Sequence, residues 1–525
     1  MNTTEFLTIT SAICPDKEAI VFEGKRYTFA QLAERTNRLG SALTGLGVQK
    51  NESIATLMVN CGQCIETYFA TAKIGGTYVP LNFRAKGDEL TYMLNTAEAT
   101  TLFVGERYLE LVESIKPNLK RMKHIISVDK PHPGMSYYGD LIKTGSPDDI
   151  FTEIGDDDMT ILMYTAGTTG FPKGVMLTHR SFTVYVLDNV TPPDTDTIEK
   201  NILTVPLYHV AGIQAMMAAV YGGRTVVIER QFEPTEWMGL VQAEKVSRAM
   251  MVPTMLKQLI DHPKFKDYDL SSLKVITYGA APMPLEVIKK AIGIFPKVSF
   301  INAFGQTETA STITSLSPED HVITGATEAE REKKLKRLGS IGKPMADVGM
   351  KIIDENGKDL PPGEVGEIVA RGPRVMAGYW KDEEKTKKTI DKDGWVHTGD
   401  VGYVDEDGFL YLVDRVKDMI DSGGVKVYPK DVEEIAIRHP DVREVAVFGV
   451  PHDKWGETPV AAVILREGAS VTAEALRDWI NERVGARYQR VSQVLVMKDF
   501  PRSAAGKTLK REMREPYWAG REKKI

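Results

Sequence analysis

The sequence predicts an α/β fold: a large N-terminal domain of two helix-covered sheets plus a small β-barrel-like unit, and a small α+β C-terminal domain. Three observations carry this. From Glu18 to Gly305, short β-rich apolar runs alternate with amphipathic helical stretches. From Gly339 the texture changes to turn-punctuated alternation, and a fresh β/α segment follows DGFLYLVDRVKDMID. At ~150 residues per domain, the 525 residues allow three or four units, enough to bury a core without disulfide or metal staples.

Taken in order, EAIVFEGKRYTFAQLAERTNRLGSALTGLG reads as a hairpin and then a helix ended by Gly47. ESIATLMV is a strand, and the helix around Ile65 to Ile74 leads into a Gly-Gly turn and VPLN. The same rhythm returns in RTVVIE, SRAMMVP, LKVITYG and KVSFINAFG, which predicts parallel strands under helices. Residues 317–340 are highly charged and read as a solvated helix or loop. VGMKIIDENGKDLPPGEVGEIVARG holds Asn-Gly and Pro-Gly turns, the mark of antiparallel hairpins, and places a barrel-like part at about 339–413 of an N-terminal domain spanning 1–413. Residues 414–418 are the expected boundary. Residues 419–525 hold helix PKDVEEIAIRHP, strands VREVAVFGVP and PVAAVILRE, helix AEALRDWINERV and a basic tail.

Composition narrows the function. The net charge is −6, which does not call for nucleic acid or an anionic membrane. From Arg415 onward there are 21 basic and 17 acidic residues, net +4, leaving −10 on the rest; this suits a polyanionic small ligand, and equally a solvated surface. Three cysteines argue against a secreted disulfide framework. Cys61 and Cys64 form a CxxC without a second pair or a nearby His, so they read as part of a buried helix. MNTTEFLTITSAICPDKEAI lacks the order of a signal peptide, and no apolar run, such as Ala215 to Tyr221, reaches the ~20 residues of a membrane span. A cytoplasmic location is expected.

The most informative segment is MYTAGTTGFPKGVMLTH, residues 163–179. Glycines, threonines and one lysine stand between the β-rich run MTILMY and an expected helix. Glycines let the backbone turn its N–H groups inward and hydroxyls add donors, so such a loop can cradle phosphate oxygens. It is not the common P-loop, since Pro172 precedes Lys173 and Gly174 follows it. Alone, the loop reads equally well as a surface turn.

It does not stand alone. YTAGTTGFPKG resembles the signature loop of the adenylate-forming enzymes, which include acyl-CoA synthetases, adenylation domains of peptide synthetases and firefly luciferase. Further matches follow in the family's order: PLYHVAG (206–212), TYGAAPM (277–283), NAFGQTE (302–308), GEIVARGPRVMAGYW (366–380), GWVHTGDVG (394–402), DRVKDMIDSGGVKVYP (414–429) and PRSAAGK (501–507). The resemblance spans essentially the whole chain.

The resemblance implies two half-reactions. A carboxylate attacks the α-phosphate of ATP to give acyl-adenylate and pyrophosphate, and a thiol then takes the acyl group. Thr165, Gly167, Thr168, Thr169, Gly170 and Lys173 would meet the β- and γ-phosphates; Ala166 stands where most members have serine. Phe304 would face the adenine, where many relatives have tyrosine, beside Gly279, Ala280, Ala281, Asn302, Ala303 and Gly305. Thr307 would reach the α-phosphate, and Glu308 with Thr168 would hold Mg²⁺. Asp400 and Arg415 would bind the ribose, and Lys507 would bridge the attacking carboxylate and the α-phosphate.

For the second half, Ser422, Gly423 and Gly424 would admit the pantetheine arm of coenzyme A, with Trp455 stacking on its adenine or simply packing. Lys417 is the matching hinge position about which the mobile C-terminal domain would rotate. ARYQRVSQ departs from the Tyr-Lys-x-Pro pattern at Gln489 and Val491. By position, Tyr208, His209, Val210, Gly212, Met216, Tyr278 and Ala310 would line an apolar acyl pocket, together with 279–281 and 302–303, with His209 as its gate.

The expected function is thus an AMP-forming acyl-CoA synthetase for a hydrophobic acid (medium-chain, alicyclic or aromatic) that uses ATP, coenzyme A and Mg²⁺. The competing readings are a stand-alone adenylation enzyme loading a carrier protein and a long-chain fatty acid CoA ligase. The 18 residues after Lys507 leave no room for a carrier domain. A non-catalytic adenylate-binding regulator would be expected to lose Lys507 or Glu308, and nothing specific favours a luciferase-like oxygenase. The expected partners are the carboxylate, ATP and coenzyme A, with a homodimer left open.

Overall fold

Two large sheets, each covered by helices, make up most of the computed structural model, which describes residues 1–165, 171–323, 325, 327–423, 425–502 and 508–519. The chain forms two compact units: Met1–Gly349 with Ala370–Val396, and Met350–Val369 with His397–Ile525.

In the first unit, a nine-stranded sheet runs parallel through Ser299–Gln306, Val275–Gly279, Arg248–Met251, Lys200–Leu203, Thr225–Ile228 and Glu18–Phe22. Antiparallel strands Ser311–Leu316 and Lys343–Pro344 close one edge and Lys25–Thr28 the other. The four β-rich runs read from the sequence all lie in this sheet. An eight-stranded sheet runs parallel through Met159–Thr165, Thr77–Pro80, Ser53–Leu57, Ala99–Val104, His124–Ser127 and Ser136–Tyr137. Lys173–Thr178 and Gly378–Tyr379 extend it antiparallel. Ser53–Leu57 and Ala99–Val104 are buried at every position, because helices cover both faces of a parallel sheet.

Local signals set the helix ends. Thr28 and Gln31 form a reciprocal capping box that starts the helix Phe29–Gly45, and Gly47, at φ +87°, ends the turn after it. The charged stretch becomes the exposed helix Glu328–Arg337, capped by Thr327 and Glu330. Cys61 and Cys64 lie at the start of the buried helix Gly62–Lys73, with sulfurs 3.5 Å apart and no disulfide. The neighbouring Cys64 sulfur and burial push the Cys61 thiol well up, which suppresses thiolate chemistry.

One expectation fails here. The glycine-threonine loop does not lead into a helix: Lys173–Thr178 is a strand antiparallel to Met159–Thr165, and the helix begins only at His179. Val175 and Leu177 are fully buried, and burial of their alternating side chains favours the strand. Among the described residues the loop is thus followed by a strand and not by a helix N-terminus, in contrast to the common P-loop.

The second unit contains a four-stranded sheet, Gly349–Ile353, Gly366–Arg371, Val396–Val404 and Leu410–Arg415, with its Asn-Gly turn at Gly357, φ +79°. A five-stranded sheet follows, built on the hairpin Val442–His452 and Gly456–Leu465 and packed on helices Pro429–Ala436 and Ala473–Asn481 around Ile420, Val432, Val447 and Leu476. Among the described residues, no helix is long and apolar enough to cross a membrane.

Candidate active site

In the first unit the candidate residues gather at the carboxyl ends of parallel strands, where open α/β sheets bind ligands. Thr165 ends one strand and pairs across the hairpin with Lys173. Ala166, Gly167, Thr168, Thr169 and Gly170 lie outside the described residues. Gly279 ends another strand so close to its neighbour that a Cβ would sit 2.0 Å from the Ala303 carbonyl oxygen. Ala280, at φ +64°, and Ala281 follow it, both exposed. The Asn302 amide is already engaged, donating to the Ser340 carbonyl at 3.2 Å.

Phe304, part-buried, is paired with Thr314, and a bulge follows at Gly305. Thr307 and Glu308 then sit in the turn Thr307–Thr309, closed by Gln306 and Thr309. Ala310 and Ser311 take φ +47° and +87° as the chain reverses, backbone strain of the kind concentrated at functional sites.

Glu308 is held at two points. Its backbone carbonyl accepts from Met376 N at 2.9 Å, and its Oε1 accepts from the Tyr379 hydroxyl at 2.8 Å. Oε2 has no partner among the described residues. The Lys173 ammonium lies 5.6 Å from the centre of the Tyr379 ring. A carboxylate oxygen without a partner among the described residues fits Mg²⁺, which takes one or two carboxylates and fills its shell with water and substrate phosphate. The described residues contain no cluster of three or more His, Cys, Asp or Glu able to hold a metal.

On the acyl side, His209 precedes the helix Val210–Tyr221. Burial, helped by the Arg84 charge, pushes its imidazole down to about 4, so it is neutral at pH 7. Its Nε2 is buried with no partner among the described residues. A Cβ on Gly212 would meet the Pro206 carbonyl at 2.5 Å, so this turn requires glycine. Val210, Met216 and Ala310 share one hydrophobic core cluster. Tyr278 does not join them: it packs with Trp237, Ile288 and Phe300 in another cluster and its hydroxyl meets His321 Nε2 at 2.9 Å. Strand alternation sends its side chain to the other face of the sheet. Tyr208 stacks edge-on against Phe83 at 5.1 Å.

Asn60 and Glu229 were not visible from sequence. Asn60 accepts from Leu207 N and donates to the carbonyls of Thr204, Val205 and Glu229, which clamps the loop ahead of His209. Glu229 is fully buried, and burial raises its carboxyl to about 8.

In the second unit, Asp400 and Arg415 are direct partners on adjacent strands, with Arg415 Nε 3.0 Å from Asp400 Oδ1. Thr398 Oγ1 accepts from Asp400 N at 3.1 Å. Ser422 ends strand Ile420–Ser422; Gly423, at φ +67°, donates its N–H to the Trp455 carbonyl at 2.7 Å. A Cβ on Gly423 would come within 2.8 Å of the Trp455 ring, so glycine and tryptophan fit as a pair. Lys417 lies in the turn Val416–Asp418. Gly424 and Lys507 lie outside the described residues.

Comparison with known proteins places these residues in context. The AMP-binding enzyme profile matches residues 9–380, and the AMP-binding enzyme C-terminal domain profile matches residues 431–507. A feruloyl-CoA synthase from Amycolatopsis sp is 33% identical over 96% of both chains. An indoleacetate–CoA ligase from Aromatoleum aromaticum is 31% identical over 98% of both. Among solved structures, an anthranilate CoA ligase in complex with anthranoyl-AMP superposes with a TM-score of 0.88 at 26% identity, covering 99% of this chain and 98% of that one.

Proposed function

Because the chain belongs to the AMP-binding enzyme family, we propose that it is an AMP-forming ligase that joins a hydrophobic carboxylic acid to coenzyme A. In the first step a carboxylate oxygen attacks the α-phosphorus of ATP and pyrophosphate departs, leaving an acyl-adenylate. In the second, the coenzyme A sulfur attacks the acyl carbon, loses its proton, and AMP departs.

Each candidate has a part. Thr165, Lys173 and the loop 166–170 meet the phosphate charge, and Thr307 contacts the α-phosphate. Glu308, with Thr168, would hold Mg²⁺, which when bound neutralises charge on the phosphate oxygens. Phe304 faces the adenine, and Asp400 with Arg415 takes the ribose. Lys507 meets the charge that develops as the acyl–phosphate bond forms. Ser422, Gly423 and Gly424 admit the pantetheine arm beside Trp455, and residues 414–418, with Lys417, form the hinge of a C-terminal domain 419–525.

What supports the substrate class is the apolar character of Val210, Met216 and Ala310, which share one buried cluster, and a His209 that burial holds neutral. Such a character favours an apolar body over a zwitterion, because an unpaired buried charge is costly. Relatives named for ferulate and indoleacetate favour the aromatic members of the class. The test is AMP release on a panel of carboxylates with and without coenzyme A. Turnover of benzoate, cyclohexanecarboxylate or hexanoate is expected to depend on coenzyme A. Turnover of a zwitterionic amino acid with none of these would refute the reading.

A further inference from the structure

Glu308 follows a strand of the nine-stranded sheet, and Lys173 opens a strand of the eight-stranded sheet. The strand Lys173–Thr178 lies against the turn Thr307–Thr309. Tyr379 adds a specific tie between them: its backbone pairs with Val175, two residues beyond Lys173, while its hydroxyl crosses to Glu308 Oε1 at 2.8 Å. The tyrosine is itself braced. Trp380 N donates to the Gly174 carbonyl at 2.8 Å, and Tyr379 N donates to Thr386 Oγ1 at 2.9 Å. Met376, three residues earlier, donates its N–H to the Glu308 carbonyl at 2.9 Å. The segment 376–380, whose residues Gly378–Tyr379 form the edge strand, therefore ties both the backbone and the carboxylate of Glu308 to the neighbouring strand that carries Lys173.

From this geometry we propose that Tyr379 is a positioning residue of the metal–phosphate site. Its hydroxyl occupies Oε1 so that Oε2 is left for the divalent cation, and its ring, with the Lys173 ammonium 5.6 Å from its centre, ties the carboxylate to the strand that carries Lys173. This rests on the reading of Glu308 as a Mg²⁺ ligand and adds what orients it. A carboxylate free to rotate offers both oxygens in many orientations; one donor on Oε1 removes most of that freedom before the cation arrives.

The test is Tyr379→Phe, which keeps the ring and its strand pairing and removes only the hydroxyl. ATP affinity is measured by calorimetry on the full-length protein, with Mg²⁺ and with EDTA. In the wild type, Mg²⁺ tightens ATP binding. In Tyr379→Phe that gain is expected to shrink about 10-fold, the scale seen when a partner that orients a metal ligand is removed. Affinity in EDTA and the Tm should stay near wild type. A double-mutant cycle with Glu308→Gln completes the test: if Tyr379 acts through Glu308, adding Tyr379→Phe to Glu308→Gln costs nothing further. An unchanged Mg²⁺ gain in Tyr379→Phe, while Glu308→Gln loses it, overturns the role of Tyr379 alone. A full Mg²⁺ gain in Glu308→Gln overturns the metal-ligand reading and the proposal with it. Equal losses with Mg²⁺ and with EDTA would mark Tyr379 as a packing residue and overturn the proposal too.

Discussion

Glu308, in the turn after a strand of one sheet, and its hydrogen-bonding partner Tyr379, in a strand of the other, are 71 residues apart, whereas Asp400 and Arg415 face each other across one hairpin. The two halves of the candidate machinery are thus held in different ways. In the first unit, position comes from packing between sheets, so a single hydroxyl decides how a carboxylate is presented. In the second, position comes from strand register: Asp400 with Arg415 on one ladder, and Gly423 under Trp455 beside another. Groups fixed by register tolerate change elsewhere in the fold, because neighbouring strands carry their own alignment. Groups fixed by distant packing do not.

The largest expected effect lies at Lys507. Lys507→Ala should slow acyl-adenylate formation by about 10²–10³-fold, the scale of one preorganised electrostatic contact. Given synthetic acyl-adenylate and coenzyme A, the same variant should still form thioester at a near-normal rate. Gly424→Leu should do the reverse and accumulate adenylate, since a side chain would fill the pantetheine path. Single-turnover kinetics of each half-reaction decide the matter, and equal loss of both halves in Lys507→Ala would make the lysine structural.

Next comes Asp400. Asp400→Ala removes the partner of Arg415 as well as the proposed ribose acceptor. With charge-assisted hydrogen bonds at about 1.5–3 kcal/mol, kcat/KM for ATP should fall about 10–100-fold. Because the pair is held by its own hairpin, thermal stability should change little. A large fall in Tm with unchanged ATP kinetics would show that the pair serves the fold and not the nucleotide.

The smallest effect concerns stability against pH and sharpens the contrast between the units. Burial raises the Glu229 carboxyl in the first unit to about 8, and burial raises Asp414 in the second to about 6, against the opposing charge of Lys510. A raised acid pKa means that the folded state prefers the neutral form. Its stabilisation is present below the unfolded value and is lost as pH rises through the folded one. For Glu229 that window runs from about 4.5 to about 8; for Asp414 it runs from about 3.8 to about 6. Glu229→Gln keeps an acceptor for the Glu233 N–H, now 2.9 Å from Oε1, and cannot ionise. Its Tm should therefore gain on wild type by a few degrees, on the order of 2–4 °C per kcal/mol, between pH 5 and pH 8. Asp414→Asn should show no such gain above pH 6. Parallel Tm curves for Glu229→Gln and wild type would mean that the carboxyl ionises freely.

Much of this molecule was legible in its sequence. Short β-rich runs between amphipathic helices signal parallel strands, so Val275–Gly279 and Ser299–Gln306 were readable from LKVITYG and KVSFINAFG. The glycine at position 47 was readable as a helix end, because such a stop signal acts within a few residues. The motifs around Lys173, Glu308, Asp400 and Lys507 carried the resemblance to the adenylate-forming enzymes, and the chain belongs to the AMP-binding enzyme family. What the sequence determined by itself is therefore local: periodicity, turns and the motifs that mark the family. Only the tertiary structure decided that the loop after Thr165 returns as a strand, that Tyr278 turns its back on Val210 and Met216, and that Tyr379 reaches Glu308. Each of these depends on which face of a sheet is covered and which distant edge lies alongside, and local sequence fixes neither.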